Sequence, residues 1–167
     1  MDKPKIKITS DGSHTFYVPN LDETYHSVHG AIQEAIHVYI NAGFNYFSSK
    51  KELTVFEVGF GTGLNTFLTY LESVKKEKKI NYTSIEAYPL SIESIEQLNY
   101  LDKLKVCKLD EQFFNNIHQV RWDEEVEITS LFTLKKLKQQ LQYFNVKNKY
   151  DVVYFDAFGP RVQPELW

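Results

Sequence analysis

The sequence predicts an α/β fold built on a doubly wound parallel sheet. Three observations lead there. The first is Phe56-Glu57-Val58-Gly59-Phe60-Gly61-Thr62-Gly63-Leu64-Asn65-Thr66, an apolar strand that runs into G-x-G-x-G and then into a helical pattern. The second is the alternation of short apolar runs with helical stretches from residue 51 onward, which calls for parallel strands and right-handed crossovers. The third is composition. The chain has 167 residues, 43% hydrophobic and 25% charged, enough for one domain with its own core.

The glycine block fixes the start of the sheet. Glycines let the backbone turn tightly and approach a ligand with no Cβ in the way. The helix that follows offers free N–H groups to that ligand. The spacing also selects among ligands. A dinucleotide fingerprint needs its third glycine one position later, where this chain has Leu64. G-x-G-x-G after an acidic residue is closer to an S-adenosylmethionine site. No Lys-Ser/Thr follows the glycines, which excludes a phosphate-binding P-loop.

The elements follow in order. Lys5 to Thr9 alternates polar and apolar, Asp11-Gly12 signals a hairpin turn, and Thr15 to Val18 returns. From Ser27 to Asn41, Val28, Ala31, Ile32, Ala35, Ile36, Tyr39 and Ile40 recur at helical spacing, with Gly43 at the C-cap position. Leu53 to Val58 is the first sheet strand and Leu64 to Lys75 its helix. Ile80 to Glu86 is the second strand, and Ser91 to Tyr100 a helix with Glu93 placed for a capping box. Leu104 to Leu109 reads as the third strand, with Cys107 a buried, inert thiol within it. Val126 to Leu131 reads as an extra strand, followed by a helix through Leu134, Leu137 and Leu141. Asp151 to Phe155 is the fourth strand. Residues 1–50 thus form an N-terminal hairpin and helix packed on a domain spanning residues 51–167.

In an open α/β sheet, ligands sit outside the carboxyl ends of the strands. Glu57, Glu86 and Asp156 fall near those ends. Glu86 comes 23 residues after Gly63, close to the ~20-residue spacing of a ribose-binding carboxylate. Asp156 follows the strand expected beside the first one, so it overlooks the reactive end of the ligand.

Other classes are excluded. A single cysteine forms no internal disulfide, and the five histidines are scattered, so no metal site is expected. No apolar stretch reaches the ~20 residues of a membrane span, and no signal-peptide core follows the N-terminus, so a cytoplasmic location is expected. A net charge of −3 gives no overall basic field, although nucleic-acid binding needs only a local patch.

Taken together, several blocks resemble a known family. These are Asp11-Gly12-Ser13, Glu23-Thr24-Tyr25-His26-Ser27, Gly30-Ala31, Gly59-Phe60-Gly61-Thr62-Gly63-Leu64-Asn65, Glu86-Ala87-Tyr88-Pro89-Leu90, and Phe155-Asp156-Ala157-Phe158-Gly159-Pro160 with Pro164-Glu165-Leu166-Trp167. They resemble the tRNA 5-(aminomethyl)uridine methyltransferases, both the stand-alone MnmD-type enzymes and the methyltransferase half of bifunctional MnmC. The resemblance covers nearly the whole chain. It implies a Rossmann-like class I methyltransferase sheet, S-adenosylmethionine as cofactor, and methylation of the aminomethyl nitrogen on C5 of the wobble uridine, often 2-thiolated. It further implies the tRNA anticodon loop as partner, and an oxidoreductase as a possible supplier of the aminomethyl substrate.

Carried over by position, Glu57, Gly59, Phe60, Gly61, Gly63, Asn65 and Glu86 would bind the cofactor, with Glu86 on the ribose hydroxyls. Asp156 would be catalytic, at the amine. Glu23, Tyr25, His26, Tyr88, Phe158 and Pro160 would lie on the substrate side. The family's later strands are absent, so the sheet is expected to be truncated after strand four. The chain is then a fragment, or another chain covers the sheet edge. The segment Thr129-Ser130-Leu131-Phe132-Thr133 offers no carboxylate for an adenine contact. Two alternatives stand beside the methyltransferase. One is an aminopropyltransferase acting on a small amine. The other is an interaction module that keeps the fold without chemistry.

Overall fold

The computed structural model describes residues 3–145 and 150–167. Its central sheet has five strands: β4 (Glu52–Val58), β5 (Lys79–Ile85), β6 (Glu125–Thr129), β7 (Phe132–Leu137) and β8 (Val152–Phe155). Their spatial order is β6-β7-β5-β4-β8. β7, β5, β4 and β8 run parallel, and β6 is antiparallel to β7, so the sheet is mixed. A separate antiparallel sheet joins β1 (Lys5–Ile8), β2 (His14–Val18) and β3 (Glu23–Thr24).

β4 is central and buried on both faces. Leu53 and Val55 join one apolar cluster, while Phe56 and Val58 join another. This is why it reads as a continuous apolar run rather than an alternation. α2 (Leu64–Lys75) returns along the sheet and buries Leu64, Phe67, Leu68 and Tyr70 in the first cluster. α5 (Lys108–Gln119) packs beside it through Phe113, Phe114 and Ile117. The Tyr70 and Phe113 rings stack with centroids 3.6 Å apart. The many aromatics of the chain are spent largely on this core, where each buried ring contributes about 1.5–3 kcal/mol.

All five α-helices among the described residues bury side chains in that same cluster. The opposite face, which includes Leu137 of β7, is covered instead by Leu141, Phe144 and Tyr150. Among the described residues the α-helices therefore line one face, and the 3-10 turn Leu141–Tyr143 lies against the other.

The hairpin, the glycine turn, α2 and the first, second and fourth sheet strands lie where the sequence places them. Four segments differ. Residues 104–109 are not a strand. Leu104 ends α4 (Tyr100–Leu104), Lys105 adopts a left-handed conformation at φ 51°, and Cys107 caps α5. The alternation of Leu104 and Val106 reflects two helix ends that share the core, while Leu109 is 70% exposed. Cys107 is exposed, with Sγ 3.1 Å from Asp110, rather than buried.

The third parallel strand is β7, over residues read as a helix. Phe132, Leu134 and Lys136 alternate inward, and the lysine conceals the period of two. The predicted helix over residues 91–100 is broken into α3 (Ile92–Ile95) and α4, separated by Glu96 to Asn99. Ser91 caps α3 by accepting from Ser94 N–H, so Glu93 is not the reciprocal partner of a capping box.

The first helix begins only at Ala31. α1 (Ala31–Ala35) then opens into a π-helical turn over Ile36–Asn41. Gly43 has φ −95° and is not a left-handed cap. A Cβ there would meet Tyr39 O at 2.6 Å, so the glycine permits close packing. Ala31, Ala35, Ile40 and Phe44 join the main core, which ties the N-terminal segment to the sheet.

Candidate active site

Four parallel strands end in one register row. Phe155, Val58, Ile85 and Leu137 are aligned across β8, β4, β5 and β7. One residue further on stand Asp156, Gly59 and Glu86. Backbone bonds hold them: Asp156 N–H to Val58 O, Gly59 N–H to Ile85 O and Glu86 N–H to Leu137 O, each 2.9 Å. The two acidic residues thus flank the glycine turn because the sheet register puts them there.

Gly59 has φ +90°, and a Cβ on it would lie 2.6 Å from Asp156 O. Only glycine lets the turn pass this close to the β8 loop. Gly63, at φ +73°, starts α2 without a side-chain cap. A Cβ there would lie 2.8 Å from the His118 ring. The uncapped first turn leaves its N–H groups to a ligand, and Leu64 and Asn65 line the cleft beside it.

The cleft holds about 760 Å³ of empty space, its open mouth included. Of the residues predicted from sequence, it is lined by Gly59, Phe60, Gly61, Asn65, Glu86, Asp156, Tyr25, His26, Tyr88 and Phe158. Glu57, Gly63, Glu23 and Pro160 do not line it. Glu57 is fully buried beneath the turn, where its Oε2 accepts from Ser84 Oγ at 2.6 Å and Thr66 Oγ1 at 3.2 Å. Burial pushes its carboxyl up to about 8, and the charge of Asp156 adds to this. Glu23 is paired with Arg161 at 3.2 Å, and that guanidinium also donates to Asp22 O at 2.7 Å. Pro160 is exposed on the loop after Asp156.

Glu86 draws the two walls together. Its Oε2 accepts from Gly61 N–H at 3.0 Å and its Oε1 from Tyr88 N–H at 2.9 Å. Each oxygen keeps a further lone pair for a ligand hydroxyl. Asp156 is held from two sides. Tyr39 Oη donates to Oδ1 and Asn65 Nδ2 to Oδ2, both at 2.7 Å.

His26 is not a free base. Its Nε2 lies 2.8 Å from Thr62 Oγ1, which also accepts from Tyr100 Oη at 3.3 Å. Which of the two atoms donates depends on the imidazole tautomer. Burial pushes the imidazole pKa down, in keeping with a neutral ring. The ring braces the glycine turn. Tyr25 meets Phe158 edge to face at 5.2 Å on the cleft wall, and Tyr88 stands 63% exposed at the rim.

Sequence reasoning missed three contributors. Tyr39 belongs to an apolar helical stripe and reads as core. His118 and Lys136 support the turn from behind. Lys136 Nζ lies 4.6 Å from the Trp122 ring and 5.2 Å from that of Phe60, and it donates to His118 O at 3.3 Å. Burial lowers the Lys136 pKa to about 8. The segment 129–133, searched for an adenine contact, lies at the amino end of β7, far from the strand ends that form the cleft. The residues that face the cleft after β7 are Gln139 and Leu141. Among the described residues no cluster of His, Cys, Asp and Glu could hold a metal ion, and no helix is long and apolar enough to cross a membrane.

The glycine turn, the uncapped helix start and the Glu86 carboxylate fit an adenosine-bearing cofactor, with the Asp156 carboxylate beside the turn. No family model matches the chain. It is similar to the "tRNA 5-methylaminomethyl-2-thiouridine biosynthesis bifunctional protein MnmC" of several bacteria. The protein of Leptospira borgpetersenii is 25% identical over 163 residues, 87% of this chain and 24% of the relative. That of Cupriavidus necator is 27% identical over 162 residues, 90% of this chain and 24% of the relative. The chain therefore spans about a quarter of the length of these relatives. The crystal structure of MNMC2 from Aquifex aeolicus superposes with a TM-score of 0.78 at 24% identity, covering 100% of this chain and 53% of that one. By sequence this chain is similar to the bifunctional MnmC proteins, and it has the fold of MNMC2.

Proposed function

We propose that the chain is a tRNA methyltransferase that modifies the wobble uridine, methylating the aminomethyl nitrogen on C5 with S-adenosylmethionine as donor. The observation that carries this reading is Asp156, a carboxylate fixed by two donors on the cleft wall beside the glycine turn. The relatives' printed name gives the substrate class.

The cofactor supplies a methyl group already activated on a sulfonium. The protein's task is alignment, worth ~7–11 kcal/mol when well executed. The glycine turn and the start of α2 leave room for the donor. The free lone pairs of Glu86 accept the ribose hydroxyls. A primary amine is largely protonated at neutral pH and then has no lone pair. Asp156 accepts one N–H and turns the nitrogen towards the methyl carbon once the extra proton has passed to solvent. With Glu86 holding the donor and Asp156 the amine, the donor would supply its methyl group to the nitrogen lone pair, and the C–S electrons would remain on sulfur.

A flipped-out base needs an aromatic platform, and exposed Tyr88 at the rim offers one. The Tyr25–Phe158 pair forms the wall beneath it. Activity on tRNA would imply a cytoplasmic location, with an oxidoreductase as a possible supplier of the aminomethyl substrate. Calorimetric titration with S-adenosylmethionine, with NAD as control, tests the cofactor. Micromolar binding of the first alone is expected, and binding of NAD instead would overturn the reading. Transfer to a small diamine but not to tRNA would point to an aminopropyltransferase-like enzyme.

A further inference from the structure

Tyr39 reaches Asp156 from a turn that an ordinary helix would not supply. Across Ile36–Asn41 the backbone is π-helical, with Ala42 N–H donating to His37 O at 3.3 Å. Such a turn carries extra chain, and an α-helix advances about 100° per residue, so the faces of the helix on either side are re-aimed. Isolated π turns recur at functional sites.

Three contacts fix what this turn presents. Gly43 lets the chain close onto Tyr39 O, where a Cβ would come within 2.6 Å. The Tyr39 ring packs 5.1 Å from that of Tyr154. The hydroxyl lies 2.7 Å from Asp156 Oδ1 and 3.4 Å from Phe155 O. Burial and the charge of Asp156 hold the hydroxyl pKa well above its ordinary value, so it remains a donor through the neutral range. Asn65 Nδ2 occupies the other oxygen.

We propose that Tyr39 is a positioning residue for the transfer step. Its hydroxyl and the Asn65 amide lock the Asp156 carboxylate so that a free lone pair on each oxygen faces the acceptor amine. The inference rests on the methyltransferase reading. The physical reason is the short, rotatable aspartate side chain. Held at one oxygen only, the carboxylate can swing, whereas donors on both oxygens fix its plane. A misplacement of about 1 Å can cost ~100-fold in rate.

The test is Tyr39→Phe, which keeps the ring against Tyr154 and removes only the hydroxyl. The expected result is a fall of about ten-fold or more in kcat for tRNA methylation. KM for tRNA and for S-adenosylmethionine should stay within about two-fold, with an unchanged circular-dichroism spectrum. In the Asp156→Asn background, followed over long incubations, the same change should cost less than about two-fold, because Tyr39 acts through Asp156. A second readout needs no turnover. Sinefungin carries a primary amine where the donor carries its methyl group, and S-adenosylhomocysteine carries neither. Tyr39→Phe should weaken sinefungin several-fold and leave S-adenosylhomocysteine unchanged.

A variant with wild-type kcat and wild-type sinefungin affinity would overturn the proposal. So would losses that simply multiply in the double variant. If the wild-type chain binds neither nucleoside, the methyltransferase reading falls and this inference falls with it. Wild-type binding of both, with no effect of Tyr39→Phe, removes this inference alone.

Discussion

Asp156 and Glu86 occupy matching positions on the two strands that flank β4, each one residue past the register row Phe155–Val58–Ile85. Gly59 stands between them in the same row of chain reversals. On the proposed reading, the two carboxylates beside the glycine turn would have two jobs, Glu86 taking a cofactor's hydroxyls and Asp156 an acceptor amine.

Asp156→Asn tests the second job. The asparagine keeps the size of the side chain but loses the charge, and one of its atoms becomes a donor facing Tyr39 or Asn65. Methyl transfer should fall by about 10²–10⁴-fold, the usual scale for such a group. Affinity for S-adenosylmethionine, read by calorimetry, should change little. Full activity would remove Asp156 from the mechanism.

Glu86→Ala tests the first job. It removes a charged acceptor from Gly61 N–H and Tyr88 N–H and, on the proposed reading, from the ribose. Hydrogen bonds to a charged group are worth about 1.5–3 kcal/mol, so cofactor affinity should drop by about 10- to 100-fold. Unchanged affinity would refute the ribose role. Because the two walls also lose their link, melting temperature should fall as well.

Glu57 makes a prediction about pH. Its carboxyl rises from an ordinary 4.5 to about 8 on folding, chiefly through burial. The folded state therefore holds the proton more tightly than the unfolded chain. Its contribution is most favourable below pH 4.5 and declines as pH rises to about 8, at roughly 1.4 kcal/mol per pH unit before relaxation. Urea unfolding midpoints between pH 5 and pH 9 should fall across that window in the wild type. Glu57→Gln should flatten the decline, and an equal slope in both proteins would show that Glu57 does not cause it.

Gly59→Ala should be damaging out of proportion to its size. The new Cβ would lie 2.6 Å from the carbonyl oxygen of Asp156, and φ of +90° strains any side chain. A stability loss of about 1–3 kcal/mol is expected, measured by thermal unfolding, together with loss of cofactor binding. Wild-type binding in a folded Gly59→Ala protein would show that the turn need not pass so close to the β8 loop.

The sequence made legible those elements whose local signals agree. The glycine turn, α2 and the strand before Asp156 are each marked by composition, period and boundary residues together. β7 stayed hidden because its inward row ends in Lys136, which is buried against Trp122 and Phe60. A charged residue at a core position breaks the period that identifies a strand. The missed strand then misplaced the search for an adenine contact, since 129–133 lies at the wrong end of β7. Tyr39 was illegible for a related reason. Its spacing suits a core helix, and only the π turn shows that its hydroxyl reaches across to Asp156. Glu57 illustrates the converse. Its place before the glycines suggested a ligand contact, yet the strand pleat turns it beneath the turn to Ser84 and Thr66.

The most direct test of the central claim is transfer itself. The chain is incubated with S-adenosylmethionine labelled in its methyl group and with tRNA bearing 5-aminomethyl-2-thiouridine at the wobble position, followed by nucleoside mass analysis. The account predicts label on the aminomethyl nitrogen of that uridine, and none on tRNA that lacks the aminomethyl group. A folded chain that binds S-adenosylmethionine yet leaves this nucleoside unlabelled would contradict it.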